Sequence, residues 1–434
     1  MVAPFFSSLP GFDPQAPLQN WAGNLTYSTN NVFYPATVSE VQELVKKSRN
    51  LRALGTRHCF NSIADSEFNL VSSNKLNQIL SLDEDANSVT VEAGIKYGEL
   101  SPWLDKKGFA LHNLASLPHI SVAGSITTAT HGSGVKNGNL ATSVLALEIV
   151  TADGSLIKIS KEKDGEIFNG AVIGLGAIGM ITSVTLAIEP TFSMRQNVFV
   201  KLPMSQLKDH FTDIVAAGYS VSLFTDWQTD SINEVWVKQK INPEIKYVPI
   251  PEFYGAKASA VALHPILEIS AENCTEQLGK PGPWYDRLPH FKMGFTPSSG
   301  KELQSEYFIP ARHAVEAILS ISRLAKQIGP HLLISEIRTI AADHYWMSPC
   351  RNQDSVAIHF TWKQEWEAVS KILPQIEKEL EPFQARPHWG KLFTMVPEAL
   401  ESRYEKLEQF KKLVTGYDPD GKFRNNFLNT NLFV

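Results

Sequence analysis

Apolar and polar residues follow two different periods in the first part of the chain. Thr37 and Glu40 have the spacing of a capping box, and apolar residues follow at helical spacing. A helix is therefore predicted over residues 38–48. Residues 51–54 are apolar apart from Arg52 and run into the sequence Gly55-Thr-Arg-His58, which predicts a short buried strand that ends in a tight loop.

Strands and helices continue to interleave up to residue 190. Alternating apolar residues predict a strand at 89–93, and helical spacing predicts a short helix at 100–104. Two alternating runs, at 145–149 and 156–159, flank Asp153-Gly154, and this pattern is typical of a two-strand hairpin.

The pattern changes after Glu189-Pro190. Longer strands are predicted at 233–238, 332–340 and 355–363, separated by loops rich in proline. We therefore place a domain boundary near residue 190. A polar, turn-rich segment at 418–423 precedes an apolar tail.

Length and charge restrict the class of partner. A chain of 434 residues suits two domains, and 43% hydrophobic with 20% charged residues is typical of a soluble globular protein. The formal net charge is −5 and no basic block occurs, which argues against nucleic acid and membranes as partners. A small-molecule ligand is expected.

Cysteine usage and the N-terminus indicate a reducing compartment. The three cysteines, Cys59, Cys274 and Cys350, are odd in number and lack CxxC spacing, so neither a disulfide framework nor a metal site is predicted. Residues 1–15 have no basic start and no apolar run of signal-peptide length. We expect a cytoplasmic protein.

The string Gly174-Leu-Gly-Ala-Ile-Gly179 matches GxGxxG, the fingerprint of nicotinamide-binding Rossmann folds. That fingerprint requires a helix that begins inside it and an acidic residue about 20 positions later. Residues 180–188 instead alternate apolar and small polar residues as in a strand. We therefore disfavour a nicotinamide site here.

A second cluster of small residues runs from Ser116 to Gly134. Small residues let the backbone approach a ligand closely, and successive N–H groups with Ser and Thr hydroxyls can hold a diphosphate without lysine. A loop of small residues between strands is an equally good interpretation of this segment alone.

Several motifs together resemble the vanillyl-alcohol-oxidase type of FAD-linked oxidases, and within it the alditol oxidases, close relatives of aldonolactone oxidases. The motifs are Gly55-Thr-Arg-His-Cys-Phe-Asn61, the 116–134 cluster, Gly174 to Gly179, Glu336-Ile-Arg338, His388-Trp-Gly-Lys391 and Asp418-Pro-Asp-Gly-Lys-Phe423. The resemblance implies an α+β fold with a bipartite FAD-binding domain and a cap domain with a large antiparallel sheet. We accordingly expect residues 1–190 to bind FAD, 191–404 to form the cap, and 405–434 to complete the FAD domain.

The resemblance also implies where FAD lies. The residues expected to bind it are Gly55, Thr56, Arg57, His58, Cys59, Phe60, Ser116, Ser121, Gly124, Ser125, Thr128, His131, Gly132, Gly134, Gly179 and Ile181. Relatives with histidine at the position of His58 carry a covalent bond to the flavin, so the same bond is expected here. Arg57 and Cys59 depart from the residues common in the family, Gly and Ser, which leaves the fit of this loop open.

Two predicted strands carry candidate substrate groups. Glu336 and Arg338 share one strand face, as do His359 and Thr361. Opposite charges two residues apart on an apolar strand indicate either the wall of a polar cavity or a solvated ion pair. The resemblance favours the cavity, because alditol oxidases use residues matching Ser116, Glu336, Arg338, Thr361 and Lys391, with His359 nearby.

The expected reaction is oxidation of a terminal hydroxyl of xylitol or sorbitol to the aldose, with hydride transfer to FAD N5 and reoxidation by O₂ to give H₂O₂. Lys391, Arg338 and Glu336 are the candidate catalytic residues, and Lys391 is the candidate to accept or relay the hydroxyl proton. The alternatives are an aldonolactone or other sugar oxidoreductase, a nicotinamide dehydrogenase, and a non-enzymatic carbohydrate-binding protein. We expect a monomer, although the sequence leaves the oligomeric state open.

Overall fold

A computed structural model describes residues 17–293 and 301–433 of the chain. The segment expected to lack a signal peptide, residues 1–15, lies outside the described residues. Up to residue 190 the helices are α1 (Val38–Lys47), α2 (Tyr97–Lys106), α3 (Val122–Thr127) and α4 (Lys161–Ala171). The strands of this half are β1 (Val32–Phe33), β2 (Arg52–Leu54), β3 (Leu70–Ser72), β4 (Ile79–Asp83), β5 (Ser88–Glu92), β6 (Phe109–Ala110), β7 (Val144–Val150), β8 (Leu156–Ser160), β9 (Met180–Ala187) and β10 (Glu189–Pro190).

The rest of the described chain contains seven further helices and ten strands. The strands are β11 (Ser193–Pro203), β12 (Ser220–Thr225), β13 (Ser231–Lys240), β14 (Glu252–Phe253), β15 (Ala256–Ala258), β16 (Gly282–Pro283), β17 (Glu302–Pro310), β18 (Leu332–Ile340), β19 (Ser355–Lys363) and β20 (Arg386–Pro387). The helices are α5 (Gln206–Ala216), α6 (Ala314–Ser322), α7 (Ala325–Ile328), α8 (Trp366–Leu380), α9 (Pro397–Arg403), α10 (Leu407–Tyr417) and α11 (Asn426–Leu432).

The predicted first helix is confirmed as α1. The Thr37 hydroxyl accepts a hydrogen bond from Glu40 N, 3.2 Å, and the Glu40 carboxylate accepts one from Ala36 N, 2.7 Å. These two bonds satisfy backbone donors that a helix start otherwise leaves unpaired. Val41 and Val45 on the inner face are buried.

The first half is built around an antiparallel sheet in the order β4-β5-β9-β7-β8. The predicted hairpin is confirmed by β7 and β8, which pair around Asp153-Gly154. Strand β9 follows Gly179 directly and lies between β5 and β7. Because a strand follows this glycine string, the nicotinamide-type fingerprint is ruled out as a Rossmann turn. Strands β1, β3 and β2 form a separate parallel sheet. Strand β2 ends at Leu54, and the loop that begins with Gly55 follows directly.

The second half contains a sheet of ten strands, counted within the described ranges, in the order β14-β15-β11-β13-β12-β18-β19-β17-β20 with β16 beside β11. The strands predicted at 332–340 and 355–363 are confirmed as β18 and β19, and the one at 233–238 is longer at both ends. Apolar residues of one face, such as Leu223, Ile337 and Ile358, form a core with α5, α6 and α8. The other face of the sheet carries polar residues, such as Glu306, Glu336 and His359, and faces the first half of the chain.

The register determines which polar residues share that second face. Glu306 of β17 lies opposite His359 of β19, and His359 lies opposite Glu336 of β18. Paired residues in a sheet project to the same side. None of the helices among the described residues is long and apolar enough to cross a membrane.

Candidate active site

One continuous cavity lies between the first half and the polar face of the ten-stranded sheet. The first half lines it with the loop after β2, the segment around α3, and the glycine string with the start of β9. The sheet lines it with residues of β17, β18 and β19 and with the segment from His388 to Lys391.

The cavity brings together most of the residues proposed from sequence. The lining residues from the expected cofactor set are Gly55, Thr56, Arg57, His58, Cys59, Phe60, Ser116, Gly124, Ser125, Thr128, His131, Gly179 and Ile181. All six expected substrate residues also line it, namely Ser116, Glu336, Arg338, His359, Thr361 and Lys391.

Gly132 and Gly134 do not line the cavity, and their contact with the cofactor stays a prediction. A Cβ on Gly132 would lie 2.4 Å from Leu114 O, and Gly134 N donates to Thr339 O, 2.9 Å. These glycines are needed because backbone approaches closely there, at the junction between the first half and β18. Ser121 is also outside the lining, although its hydroxyl is buried, 2.9 Å from where a Gly124 Cβ would be.

His58 lies among aromatic rings in the loop after β2. Its ring stacks on Trp21 at a centroid distance of 5.1 Å and lies 4.9 Å from the ring of His119. Nδ1 is 3.1 Å from the Thr56 hydroxyl, whereas Nε2 is buried and has no hydrogen-bond partner among the described residues. Burial, followed by repulsion from His119, lowers the pKa of His58 to about 3, so the imidazole is neutral.

The two residues that depart from the family pattern are both accommodated. Arg57 has a positive φ of 63°, and its guanidinium donates to Gln19 O, 2.9 Å. Its side chain is therefore directed to the N-terminal segment. Burial raises the pKa of the Cys59 thiol to about 11, so this thiol is protonated and unreactive at neutral pH.

Glu306 is the centre of a buried charge network, and sequence reasoning missed it. Oε2 accepts from Lys391 Nζ, 2.6 Å, and Oε1 contacts His131 Nε2, 3.1 Å, and Arg338 Nη2, 3.4 Å. Burial opposes ionisation, but Lys391 and His131 outweigh it and hold the pKa of Glu306 well below its usual range. The signal was present in β17, where Glu302, Gln304 and Glu306 alternate with the less polar residues Leu303, Ser305 and Tyr307.

Lys391 keeps one donor for a ligand. Its Nζ bonds to Glu306 and to His359 Nδ1, 2.8 Å, which uses two of the three N–H bonds of an ammonium group. Burial lowers the pKa of Lys391 and Glu306 raises it, with a net lowering. Burial and the neighbouring Lys391 lower the pKa of His359 to about 4, so its ring is neutral and Nε2 donates to the Thr361 hydroxyl, 2.9 Å.

Glu336 and Arg338 form the second part of the polar wall. Arg338 Nε lies 3.4 Å from Glu336 Oε1, and Nη1 donates to Ser116 Oγ, 3.2 Å. Glu336 Oε1 also accepts from His290 Nε2, 2.7 Å, a cavity residue that the sequence did not reveal. Burial opposes ionisation here too, but Arg338 and His290 hold the pKa of Glu336 far below its usual range.

The polar wall of the cavity therefore contains two ion pairs, Lys391 with Glu306 and Arg338 with Glu336, together with hydroxyl groups. Ser116 and Thr361 each accept a hydrogen bond from the protein, which leaves their O–H groups free to donate. No group of three or more His, Cys, Asp or Glu side chains within the described ranges could hold a metal ion. Such a wall is suited to a neutral, hydroxyl-rich ligand.

Comparison with known proteins identifies relatives of both halves. Residues 29–160 match the model of an FAD binding domain, and residues 296–431 match that of D-arabinono-1,4-lactone oxidase. The chain is 46% identical over 412 residues to an alditol oxidase of Streptomyces sp., covering 94% of this chain and 97% of the relative. It is 26% identical over 446 residues to the L-gulonolactone oxidase of Mus musculus, covering 94% and 97%.

A solved structure shares the fold at low sequence identity. Cholesterol oxidase from B. sterolicum superposes with a TM-score of 0.77 and 15% identity, covering 99% of this chain and 100% of the other. The fold of this chain is therefore also found in an experimental structure.

Proposed function

The chain belongs to the alditol oxidase family of FAD-dependent oxidoreductases, and on that basis we propose that it oxidises the terminal hydroxyl of an alditol, such as xylitol or sorbitol, to the aldose. The observation that carries this proposal is the charge-balanced wall of Glu306, Lys391, Arg338 and Glu336, which lies in the same cavity as the His58 loop. Molecular oxygen is the proposed electron acceptor, with H₂O₂ as the second product.

The residues of the first half fit FAD. Gly55 and Gly124 keep the backbone open, because a Cβ on either would lie within 3.0 Å of Ser121 Oγ. The buried Ser121 hydroxyl and His58 Nε2 have no partner among the described residues, which supports a ligand that supplies one. Bound FAD would supply the acceptor for a hydride.

We propose that His58 carries the flavin covalently. A neutral imidazole with a free lone pair is the form of histidine that can add to an electrophilic carbon. Trp21 and His119 hold the ring in place, so its orientation is fixed before FAD binds. Acid denaturation should therefore leave yellow colour in the protein pellet, and His58→Ala should release it to the supernatant. Colour in the supernatant of the wild-type protein would refute the covalent bond.

Polyol recognition would use the free groups of the wall. A polyol has one hydroxyl per carbon, and each buried polar group left unpaired costs about 1–3 kcal/mol. We assign the reacting hydroxyl to Arg338 and Lys391, the next hydroxyl to Glu336, and hydroxyls farther along to Ser116 and Thr361, with His359 beside them. This set discriminates a polyol from an analogue that lacks a hydroxyl.

Lys391 would manage the hydroxyl proton. As hydride leaves the carbon, negative charge develops on the oxygen, and an ammonium and a guanidinium stabilise it. Arg338 stays protonated, so the proton must pass to Lys391. An ammonium nitrogen has no lone pair, so Lys391 Nζ first passes one of its protons to His359 Nδ1, to which it is bonded, and the resulting amine then accepts the hydroxyl proton as hydride leaves.

The test is anaerobic flavin reduction across a panel of alditols, lactones and aldoses, followed by air and an H₂O₂ assay. Bleaching of the flavin by xylitol or sorbitol and peroxide release on aeration are the expected results. Bleaching by lactones alone would select the second candidate, an aldonolactone oxidase, which the match of residues 296–431 favours.

A further inference from the structure

Lys238 is a buried lysine next to the cavity but outside its lining. It lies on β13, is 1% exposed, and its Nζ has three acceptors around it. These are Leu288 O at 2.6 Å, Pro289 O at 2.9 Å and His290 Nδ1 at 3.1 Å. An ammonium group has three N–H bonds, so this set uses all of them.

The contact with Lys238 determines which nitrogen of the His290 ring carries the proton. Because Nδ1 accepts from the ammonium, the ring proton is on Nε2, which donates to Glu336 Oε1, 2.7 Å. The ring is wedged against Phe224 and Trp236 at centroid distances of 5.5 and 5.2 Å, both edge-on. His290 is therefore fixed in position as well as in tautomer.

The segment Leu288–Phe291, which we call the strap, also holds the first half. His290 N and Phe291 N both lie within hydrogen-bond distance of Ser116 O, at 3.1 and 3.3 Å. Lys238 thus holds a segment that supports Glu336 through a side chain and Ser116 through the backbone.

His290 leaves only one Glu336 oxygen available to a ligand. Oε1 is occupied by His290 and lies beside Arg338 Nε, whereas Oε2 has no hydrogen bond to any described residue. Glu336 lines the cavity, so Oε2 is the acceptor presented there. The direction of this acceptor depends on the bond that His290 makes to the other oxygen.

We propose that His290 and Lys238 are positioning residues that aim Glu336 Oε2 at the hydroxyl next to the carbon being oxidised, and so determine preference for vicinal diols. The inference rests on the proposed function, in which Glu336 binds that hydroxyl. Lys238 acts only through the strap and His290.

The experiment compares glycerol with propane-1,3-diol, which differ only in the middle hydroxyl, in anaerobic flavin reduction. For each substrate, the limiting rate constant of flavin reduction is divided by the apparent Kd, and the measured quantity is the ratio of this value for glycerol to that for propane-1,3-diol. Measurements are made at pH 6, because burial lowers the pKa of Lys238 to about 7 and the ammonium form is required. His290→Leu removes the donor to Glu336 and should lower the ratio at least about fivefold. His290→Gln keeps an N–H near the position of Nε2 and should recover most of it.

Lys238→Met should lower the same ratio, and adding it to His290→Leu should cause no further loss. Lys240→Met is the matched control, because Lys240 is on the same strand but bonds to Glu189.

Equal losses in His290→Leu and His290→Gln, or an unchanged ratio in His290→Leu, would overturn the inference. These two His290 variants decide it even if Lys238→Met does not fold. Additive losses would show that Lys238 acts independently of His290. A wild-type flavin that no alditol reduces would overturn the proposed function itself.

Discussion

Glu306 shows how a single buried side chain can organise a site. Its side chain has no exposure to solvent, yet it contacts Lys391, His131 and Arg338. An unpaired buried anion would be strongly unfavourable, so these partners are required for its ionised form. In return, the carboxylate raises the pKa of Lys391 against the larger lowering effect of burial.

Glu306→Gln should shift the alkaline limit of activity to lower pH. Burial already lowers the pKa of Lys391, and loss of the Glu306 charge removes the opposing effect, so Lys391 loses its proton at lower pH in the variant. The check is the pH dependence of anaerobic flavin reduction by xylitol. Glu377→Gln is the control, since Glu377 bonds to Tyr307 and Thr394 outside the cavity. An alkaline limit that stays at the wild-type pH would contradict this role.

Lys391→Met should slow flavin reduction by xylitol about 10²–10³-fold, the usual loss when one donor to a developing oxyanion is removed. Lys363→Met is the comparison, because Lys363 is exposed on β19 and donates to Pro330 O. The rate constant at saturating xylitol, from stopped-flow absorbance, is the quantity to measure. A wild-type rate in Lys391→Met would exclude it from the chemical step.

At the scale of elements, local sequence patterns predict where strands lie in the chain, but not which strands pair with one another in the sheet. The limits of β18 and β19 and the start of α1 follow from alternation and capping, which are local properties. The order β18-β19-β17 is not local, so nothing near Lys391 in sequence predicts that Glu306 lies 2.6 Å from it. His290 was missed for a different reason: the strap that carries it is irregular, so no periodic pattern marks it. The role of His58 came from family resemblance.

Gly179, the last glycine before β9, lies very close to the backbone of the neighbouring strand β7. A Cβ on Gly179 would lie 2.4 Å from Val150 O on the neighbouring strand β7, so Gly179→Ala must separate the two strands. Such overpacking costs about 1–3 kcal/mol, and the midpoint of urea unfolding should fall accordingly. Gly416→Ala in α10 meets no atom within 4 Å and should leave the midpoint unchanged or raise it. Equal stability of both variants would show that close strand packing is not the reason for glycine here.

At the scale of the whole molecule, the end of the chain returns to its beginning. Leu51 N donates to Lys422 O, 3.0 Å, and buried Arg52 donates through Nη1 to Phe423 O, 2.7 Å. Asn425 Nδ2 lies within hydrogen-bond distance of the carbonyls of Ser62, Ile63 and Asp65. These contacts support the proposal that residues 405–434 complete the FAD domain. The monomeric state and the cytoplasmic location stay predictions.

The side chain of Lys422 bonds the C-terminal segment to the first half of the chain. Its Nζ donates to Val45 O, 2.8 Å, and to Ala152 O, 2.6 Å, so it joins the end of α1 to the turn after β7. Lys422→Met leaves both carbonyls without this donor, and unpaired buried carbonyls cost about 1–3 kcal/mol. We expect the free energy of unfolding, from urea titration of tryptophan fluorescence, to fall by that amount, whereas exposed Lys412→Met should leave it unchanged. If the two variants unfolded at the same urea concentration, the two hydrogen bonds of the Lys422 side chain would contribute nothing to the stability of the first domain.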